Sequence, residues 1–441
     1  MTKRILTGLC LALCFSIGVF SQTPTTSPTP TRQRVVNPNP VNSPQFSPTP
    51  LPKIVVVTDN LPTPKPTPLP KITPLPMPIQ NPIPVDRLNT PIQTLPSIYS
   101  LSPLKFGEIK AKLAEARREM SARPIQTAMV GSILPMDFVR IAFYDYDTKQ
   151  IDYAVMMKDA FLKTGTEFAT TTSKGKYVII RVVRANGVNT PLTIMGQNNK
   201  LHLPLMVQYP VVRDNVYQET AYYMSTHPGL VTPEVINAGK LYMRSTLDLA
   251  REKLRLKGIF ISPQVTDIAE RLAIVEHIDH QRFWTENHLQ LFNEVYALYA
   301  LNEGQTYRYA VSSAGAGGMV QMIPATYYMI RTRYPSVGLI PDFVEAMRNH
   351  ANAAQAMLLY MQMTWTDLLS SPYVFDAVQN GFATPAELMS AGYNSNPAKL
   401  PGFIKRAGAN WKNLIPRETK IYLQINLAMD RDVPLSAPRT K

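Results

Sequence analysis

Cysteine is nearly absent from this sequence. The 441 residues contain two cysteines, Cys10 and Cys14, and both lie in an apolar stretch near the start. The remainder of the chain therefore has neither disulfide bonds nor thiol chemistry. Leu9 and Leu13 precede the two cysteines at positions where a lipoprotein signal requires a small residue, so we do not expect lipidation.

Long apolar runs are also scarce, and the one that stands out is residues 5–20. It follows two basic residues and is too short for a comfortable membrane span. Val19 and Ser21 fit the small-residue rule for signal cleavage. We interpret residues 1–21 as a signal peptide, with an uncleaved membrane anchor as the alternative. The protein is then exported to the cell envelope, with the periplasm as the expected location and secretion as the alternative.

Glycine is missing from residues 22–104, although this segment holds 22 of the 40 prolines. Repeated X-Pro steps cannot bury a core, and they favour extended polyproline II backbone. At about 3.1 Å per residue, roughly 80 residues of this kind span about 250 Å when fully extended. We interpret the segment as a Pro-rich disordered linker, and a spacer without a specific length is the simpler explanation of it.

Acidic side chains are outnumbered, since 31 Asp and Glu face 45 Lys and Arg, which gives a formal charge of +14. A basic surface suits an anionic polymer such as nucleic acid, anionic lipid or the peptide carboxylates of a cell wall. The Lys and Arg residues do not form a cluster interleaved with aromatics, so we expect no nucleic-acid partner. Spread-out charge that serves solubility is the other explanation.

Residues 105–215 are predicted to form a small α+β domain. Helical spacing of apolar residues indicates a short amphipathic helix through Ile109, Leu113, Ala116 and Met120. β-Branched and aromatic runs then predict four strands, at 138–144, 151–156, 177–183 and 203–212. The role of this domain is either structural or the binding of a polymer or a partner.

From residue 216 to residue 441 the pattern is helical, with long helices predicted at 233–257, 265–282 and 343–363. Residues 276–280 form a Glu-His-Ile-Asp-His run, whose two histidines stand three apart and could chelate a metal. A polar helix face is the commoner explanation of such a run. We therefore expect no metal and no cofactor.

An aromatic-rich apolar stripe leads to Glu303. It consists of five residues at helical spacing, Phe292, Val295, Tyr296, Tyr299 and Ala300. Glu303 continues this face as the last helical position before Gly304, a usual helix stop. Hydrophobic rings and the negative end of the helix dipole both disfavour an ionised carboxyl there, so Glu303 is expected to hold its proton and act as an acid. A solvated surface residue is the alternative for a lone glutamate.

Residues 313–318 are all Ser, Ala or Gly, so their bare backbone can approach a ligand closely. Met319 and Val320 then resume a buried pattern, and Gln321 offers an amide that can hydrogen-bond a sugar or a carboxyl group. Tight helix packing is the alternative explanation of this run of small residues.

These residues resemble the lytic transglycosylases of the soluble lytic murein transglycosylase type, in the lysozyme-like superfamily. In that family a catalytic Glu is followed nine residues later by a Ser-x-Ala-Gly-Ala-x-Gly-Leu-Met-Gln segment. Glu303 and residues 312–321 match this spacing, with Met for Leu and Val for Met. Residues 392–396 are similar to the family's Ala-Tyr-Asn-Ala-Gly motif, and residues 418–422 match its Glu-Thr-x-x-Tyr motif. Four ordered motifs over about 120 residues make the resemblance specific.

Two positions depart from the family pattern. Gly304 stands where the family usually has Ser, so any orienting role of that hydroxyl has to be filled from elsewhere. Asn396 replaces a Gly and is the next-best residue for a left-handed turn. Neither change removes the acid.

The resemblance implies a mostly α, lysozyme-like catalytic domain, preceded by the small α+β domain and the linker. It implies cleavage of the β-1,4 bond between N-acetylmuramic acid and N-acetylglucosamine in peptidoglycan, with Glu303 as acid and then as base and a 1,6-anhydro sugar as product. It implies no cofactor. The expected partners are peptidoglycan glycan strands, beside other proteins of the cell envelope.

The same resemblance carries over a set of substrate-binding residues, Ser312, Gly318, Gln321, Tyr393, Asn394, Glu418 and Tyr422. Core packing is the alternative role for Tyr393 and Tyr422, and turn capping is the alternative for Asn394. Two other functions stay open. One is a hydrolytic, lysozyme-type muramidase, and the other is a peptidoglycan-binding or scaffold protein without activity, which Gly304 favours.

Overall fold

The computed structural model describes residues 104–123, 125, 137–213, 216–435 and 437–440. The predicted signal peptide at 1–21 and almost all of the predicted linker at 22–104 lie outside the described residues. Seven strands are present in the described part, β1 (Phe138–Asp145), β2 (Gln150–Met157), β3 (Glu167–Thr171), β4 (Tyr177–Val182), β5 (Leu192–Gly196), β6 (Leu201–Arg213) and β7 (Val216–Tyr223).

The helices precede, interrupt and follow the sheet. They are α1 (Phe106–Ala122), α2 (Lys158–Phe161), α3 (Pro233–Arg255), α4 (Pro263–Val275), α5 (His280–Thr285), α6 (His288–Asn302), α7 (Pro324–Arg333), α8 (Phe343–Arg348), α9 (His350–Leu369), α10 (Pro372–Gln379), α11 (Pro385–Asn394), α12 (Leu400–Ala407) and α13 (Arg417–Asp432). Within the described ranges, none of them is long and apolar enough to cross a membrane.

The predicted N-terminal amphipathic helix is confirmed as α1. Its buried residues are the four apolar positions that define the pattern, Ile109, Leu113, Ala116 and Met120. They face β6 and β1, where they pack with Leu203 and Ala142. A local period of 3.6 was enough to predict this element, because one face of a surface helix is buried along its whole length.

The seven strands form one antiparallel sheet that curls into a half-barrel. The strand order is β2-β1-β6-β5-β4-β3, and β7 also pairs with β6. The 13 residues of β6 pair in turn with β5, β1 and β7. The register shifts between Ala142 and Phe143 and again between Val211 and Val212, and such irregularities increase the twist that curls a sheet.

The predicted fold class, a mostly α lysozyme-like domain behind a small α+β domain, is wrong. The described chain is a seven-stranded half-barrel followed by a helical region, and β7 continues the sheet beyond residue 215, where the sequence pattern indicates helix. The four predicted strands are present as β1, β2, β4 and β6. The missed strands are β3, β5 and β7.

The missed strands lack the signals from which strands are predicted. β3 and β5 have five residues each, and most residues of β3 and β7 are exposed or half-buried. Short, polar strands do not show a clear alternation of apolar and polar residues. Their conformation is set by pairing with neighbours, which a local pattern does not contain.

Two long helices of the prediction are each broken in two. The predicted helix at 265–282 is divided into α4 and α5, because the side chain of Asp279 accepts a hydrogen bond from the backbone nitrogen of Arg282 and starts a new helix. The predicted helix at 343–363 is divided into α8 and α9 by Asn349, which caps the nitrogen of Asn352 in the same way. Side-chain capping ends an apolar period that would otherwise continue.

Helix α6 joins the sheet to the helical region. Ala297 and Ala300 pack in the core beneath α1, while Leu298 packs in the core of β1, β2, β4 and β5. Tyr299 belongs to the core of the helical region. One helix therefore contributes to three hydrophobic cores, and Glu303 follows directly after its last residue.

Candidate active site

Glu303 lies one residue beyond α6, which ends at Asn302. Its φ of 47° is rare for a residue with a side chain and costs about 1 kcal/mol or more. The side chain is 41% exposed, and Oε1 lies 3.1 Å from Nζ of Lys110 on α1. The expected apolar setting of Glu303 is therefore wrong, because its carboxylate is accessible to solvent and ion-paired.

Asn302 ties this turn to the sheet. Its side-chain oxygen accepts a hydrogen bond from the backbone nitrogen of Met224, and its amide nitrogen donates to the backbone oxygen of the same residue, both at 2.9 Å. Met224 directly follows β7, so the buried amide of Asn302 continues the pairing of the sheet. The position of Glu303 is thus set by the contact of its neighbour Asn302 with a residue 78 positions before Asn302.

Thr306 and Tyr307 close the turn after Glu303. The backbone nitrogen of Thr306 donates to the backbone oxygen of Glu303 at 3.0 Å, and its hydroxyl donates to the backbone oxygen of Leu298 at 3.0 Å. The nitrogen of Tyr307 donates to the hydroxyl of Tyr223 on β7 at 3.3 Å. Helix α6, β7 and the turn therefore hold the backbone of Glu303 from both sides.

The small-residue loop forms a tight turn beside this backbone. The Ser312 hydroxyl accepts a hydrogen bond from the nitrogen of Ala316 at 3.0 Å, and the nitrogen of Gly318 donates to the oxygen of Ala310 at 3.1 Å. Gly318 has a φ of 66°, and a Cβ there would lie 2.4 Å from the backbone oxygen of Met347. Only glycine fits at this position, where the loop packs against α8.

Gln321 stabilises the same loop. It adopts a left-handed conformation with φ 45°, and its side-chain nitrogen donates to the oxygen of Gly318 at 2.9 Å. The side chains of Ser312 and Gln321, both predicted to bind substrate, thus also hold the loop's own backbone. These contacts agree with the alternative explanation of the loop, close packing, and the substrate-binding role of the two residues stays a prediction.

His277 connects the loop with the turn after Glu303, which the sequence analysis did not anticipate. Its Nε2 donates to the backbone oxygen of Met319 at 3.0 Å, and its ring stacks on Tyr307 at 3.4 Å. Burial lowers the pKa of His277 to about 3, so the ring is neutral. The run of polar residues at 276–280 is a turn between α4 and α5, and because the sequence pattern predicts one continuous helix there, no local signal identified this role.

The remaining predicted substrate residues gather around Glu276. The Tyr422 hydroxyl donates to Oε1 of Glu276 at 2.6 Å, and the Tyr393 hydroxyl donates to the backbone oxygen of Val320 at 2.6 Å. Tyr422 is 2% exposed, so it lies in the core rather than on an open surface. Tyr393 is half-buried and contacts the loop directly.

Glu276 is a second carboxyl group that sequence reasoning missed. Burial raises the pKa of Glu276 to about 8, and the nearby charge of Glu418 adds to the rise against the opposing hydrogen bond from Tyr422. Glu418 lies in the first turn of α13, and burial raises the pKa of its carboxyl as well. The sequence pattern could not reveal the contact between Glu276 and Tyr422, because the two residues are 146 positions apart.

Asn394 ends α11 and faces the start of α13. Its side-chain oxygen accepts a hydrogen bond from the hydroxyl of Thr419 at 2.9 Å. This contact brings the two C-terminal sequence motifs together. The described residues therefore form two groups, one at Glu303 and one at Glu276, connected through His277 and the loop.

Asp145, Asp147 and His202 are the one group of potential metal ligands found in the described part of the chain. Asp145 is paired with Lys176, and Asp147 is paired with Lys200 at 2.5 Å. Two ammonium groups thus already balance the two carboxylates. Residues 276–280 do not form such a group.

Comparisons of the chain with protein-family models, with curated proteins and with solved structures found no match. Its function is therefore inferred from its residues and their geometry. The central feature is an accessible carboxylate on a fixed turn, which His277 connects to the loop of small residues.

Proposed function

We propose that this protein is a peptidoglycan lytic transglycosylase. It cleaves the β-1,4 bond between N-acetylmuramic acid and N-acetylglucosamine and forms the 1,6-anhydro sugar, with Glu303 as the acting group. The observation that supports this most is the position of Glu303, whose backbone is held by the sheet and by α6 while its carboxylate remains accessible. A catalytic group needs this combination of a fixed position and an open path for substrate.

One carboxyl group is sufficient for the reaction. Protonated Glu303 gives its proton to the glycosidic oxygen as the bond to the muramic acid carbon breaks. The resulting carboxylate then takes the proton of the 6-hydroxyl, whose oxygen closes the anhydro ring, so Glu303 returns to its protonated form. Lys110, at 3.1 Å, balances the negative charge that Glu303 carries between the two steps.

The surroundings of Glu303 suit a glycan that carries anionic peptides. Residues 312–315 of the turn are exposed or half-buried and carry no bulky side chain, so sugar rings can approach this part closely, whereas residues 316–318 are buried. The net charge of +14 attracts a polymer with many carboxylates. Neither feature requires a metal or a cofactor.

A peptidoglycan-binding protein without activity is the second candidate, and the Lys110 ion pair favours it. The ammonium group stabilises Glu303 as a carboxylate, which cannot donate a proton. Gly304 supports the same candidate, because the hydroxyl usual in the resembled family is missing there. Such a protein binds sacculi with or without Glu303 and releases nothing.

The test is a mass spectrum of the soluble products after the purified full chain digests peptidoglycan sacculi. Muropeptides that lack one water relative to the hydrolysed sugar are expected from wild type and not from Glu303→Gln. Glu252→Gln is the matched control, because Glu252 is also exposed and ion-paired, to Arg255 at 2.7 Å.

Each outcome separates the candidates. Products that carry the full water would indicate a lysozyme-type hydrolase. Sacculi that bind wild type and Glu303→Gln equally, with no product from either, would indicate the binding protein.

A further inference from the structure

Tyr242 on α3 lies beside Gly304 in the Glu303 turn and has no role in the mechanism proposed above. Its hydroxyl is 2.9 Å from Nδ1 of His350, the first residue of α9. Nε2 of His350 is 2.8 Å from the backbone oxygen of Thr306, and Thr306 in turn donates to the backbone oxygen of Glu303. These contacts run from α3 through α9 to the turn that carries Glu303.

The direction of each hydrogen bond in the series from Tyr242 through His350 to Thr306 is fixed. A backbone oxygen can only accept, so Nε2 of His350 carries the hydrogen. Burial lowers the pKa of His350 to about 4, so the ring is neutral and Nδ1 has a free lone pair. The hydroxyl of Tyr242 therefore donates to His350, and its oxygen can offer only lone pairs to any other group.

The Tyr242 hydroxyl faces Gly304 and Glu303. A Cβ at Gly304 would lie 3.9 Å from the hydroxyl oxygen, and nothing else would come within 4 Å of it. Burial raises the pKa of Tyr242, and the charge of Glu303 adds to the rise, which places the two side chains within electrostatic reach. The phenol stays protonated near neutral pH.

The ring of Tyr242 is held in place too, in addition to its hydroxyl. It stacks on Tyr299 of α6 with ring centroids 6.0 Å apart and an angle of 20° between the planes. It also contacts the ring of His350 edge-on at 5.9 Å. Tyr299 is four residues before Glu303, so the same helix positions the ring and the acid.

We propose that Tyr242 is a positioning residue for Glu303, which rests on the proposed function of Glu303 as the acid. The oxygen of its hydroxyl accepts a hydrogen bond from the protonated carboxyl and so holds this group in place until substrate binds, when the proton turns from Tyr242 to the glycosidic oxygen. Because the hydroxyl hydrogen is held by His350, Tyr242 can only accept a hydrogen bond from Glu303. It borders the open space at Gly304 that a serine side chain would occupy, since a Cβ there would lie 3.9 Å from the hydroxyl oxygen.

The first test is kinetic and uses the full chain. Tyr242→Phe is expected to lower kcat about tenfold and to leave KM within about twofold, because Tyr242 acts on the acid and not on the glycan. Adding Gly304→Ser to Tyr242→Phe is expected to restore part of kcat, since a serine hydroxyl would enter the same space. Tyr327→Phe is the matched control, because it also removes a buried tyrosine hydroxyl bond, here to the oxygen of Ile340 at 2.6 Å.

The second test does not depend on activity. The carbon-13 signal of the Glu303 carboxyl, assigned by its loss in Glu303→Gln, is expected to shift in Tyr242→Phe and to return towards its original position when Gly304→Ser is added. A Glu303 signal that does not respond to Tyr242→Phe would overturn the inference even if no anhydro product is found. A shifted signal with unchanged kcat in an active enzyme would also overturn it, whereas absence of product from wild type with the expected shift would count against the proposed function alone.

Discussion

Glu303 and Glu276 are two carboxyl groups in opposite surroundings. Glu303 is accessible, ion-paired with Lys110 and held on a turn between the sheet and the helical region. Glu276 lies beneath Tyr422, and burial raises its pKa to about 8. The setting expected for Glu303, a protonated carboxyl beside aromatic rings, is found at Glu276 instead.

The difference shows what motif spacing can and cannot tell. Spacing relative to Ser312 and Gln321 selects Glu303, and the structure leaves its side chain 41% exposed. The environment of a carboxyl depends on residues far along the chain, such as Lys110 for Glu303 and Tyr422 for Glu276. Role and environment therefore have to be tested separately.

The largest expected effect is on catalysis. Glu303→Gln is expected to lower the release of anhydro products by about 10²–10⁴-fold, because the proton donor is lost, whereas Glu276→Gln is expected to lower it by less than about tenfold. Both are measured as initial rates on sacculi. If Glu276→Gln lowered the rate more than Glu303→Gln, Glu276 rather than Glu303 would be the catalytic acid.

The second prediction concerns the pH dependence of stability. The pKa of Glu276 is about 8 in the folded chain and ordinarily about 4.5, so the folded state holds a proton that the unfolded state has released between these values. Its contribution is therefore fully present below pH 4.5, falls by on the order of a few kcal/mol as pH rises to 8, and is constant above. Glu418, whose pKa burial also raises, acts in the same direction.

Urea unfolding between about pH 4 and about pH 9, a range that includes both values, measures this dependence. Glu276→Gln keeps an oxygen for the hydrogen bond from Tyr422 and removes the titration, so its stability should change less with pH. Equal slopes for wild type and Glu276→Gln would show that Glu276 is ionised in the folded chain.

The third prediction addresses how Glu303 is held. Asn302→Ala leaves the backbone nitrogen and oxygen of Met224 without their buried partner, and it is expected to lower the free energy of unfolding by about 2–4 kcal/mol. Asn380→Ala is the control, because Asn380 is exposed and bonds only within its own helix end. Thermal unfolding compares the two variants, and similar melting temperatures would contradict the role of Asn302.

The smallest expected effect is at Lys110. Because both partners are largely exposed, Lys110→Ala is expected to change the free energy of unfolding by roughly 0–1 kcal/mol, and less in high salt. Lys112→Ala, which removes the pair with Glu115 within α1, is the control. A loss well above that of the control would mean that α1 is anchored through Glu303.

Local patterns predicted the elements whose conformation is decided locally. All four apolar positions of α1 are buried, and α3 begins at the predicted Pro233 and ends two residues before the predicted 257. The break between α4 and α5 depends on one capping side chain, Asp279, and does not change the apolar period. The strand β7 depends on its pairing with β6 and was therefore missed.

The same limit applies to the candidate site, where local spacing selects residues but does not reveal their distant contacts. Spacing predicts Glu303 and the loop from Ser312 to Gln321 as the site, which stays a prediction, and Gly318 has the backbone that only glycine adopts there. The contacts with Lys110 and Tyr242 bring distant helices to the site, so no local pattern contains them. Glu276 was treated as part of a polar helix face, and its burial became visible only with the fold.

The pairing of β6 with β7 also determines at which positions the chain can accept an inserted domain or new termini. A division after residue 215, where the sequence pattern changes, would separate the two strands of one hairpin and leave α6 without two of its three cores. The turn between α3 and α4 is different, since Gly258 is exposed and a side chain there would meet nothing within 4 Å. Inserted domains and circularly permuted termini are therefore expected to be tolerated at Gly258 and not at the composition boundary.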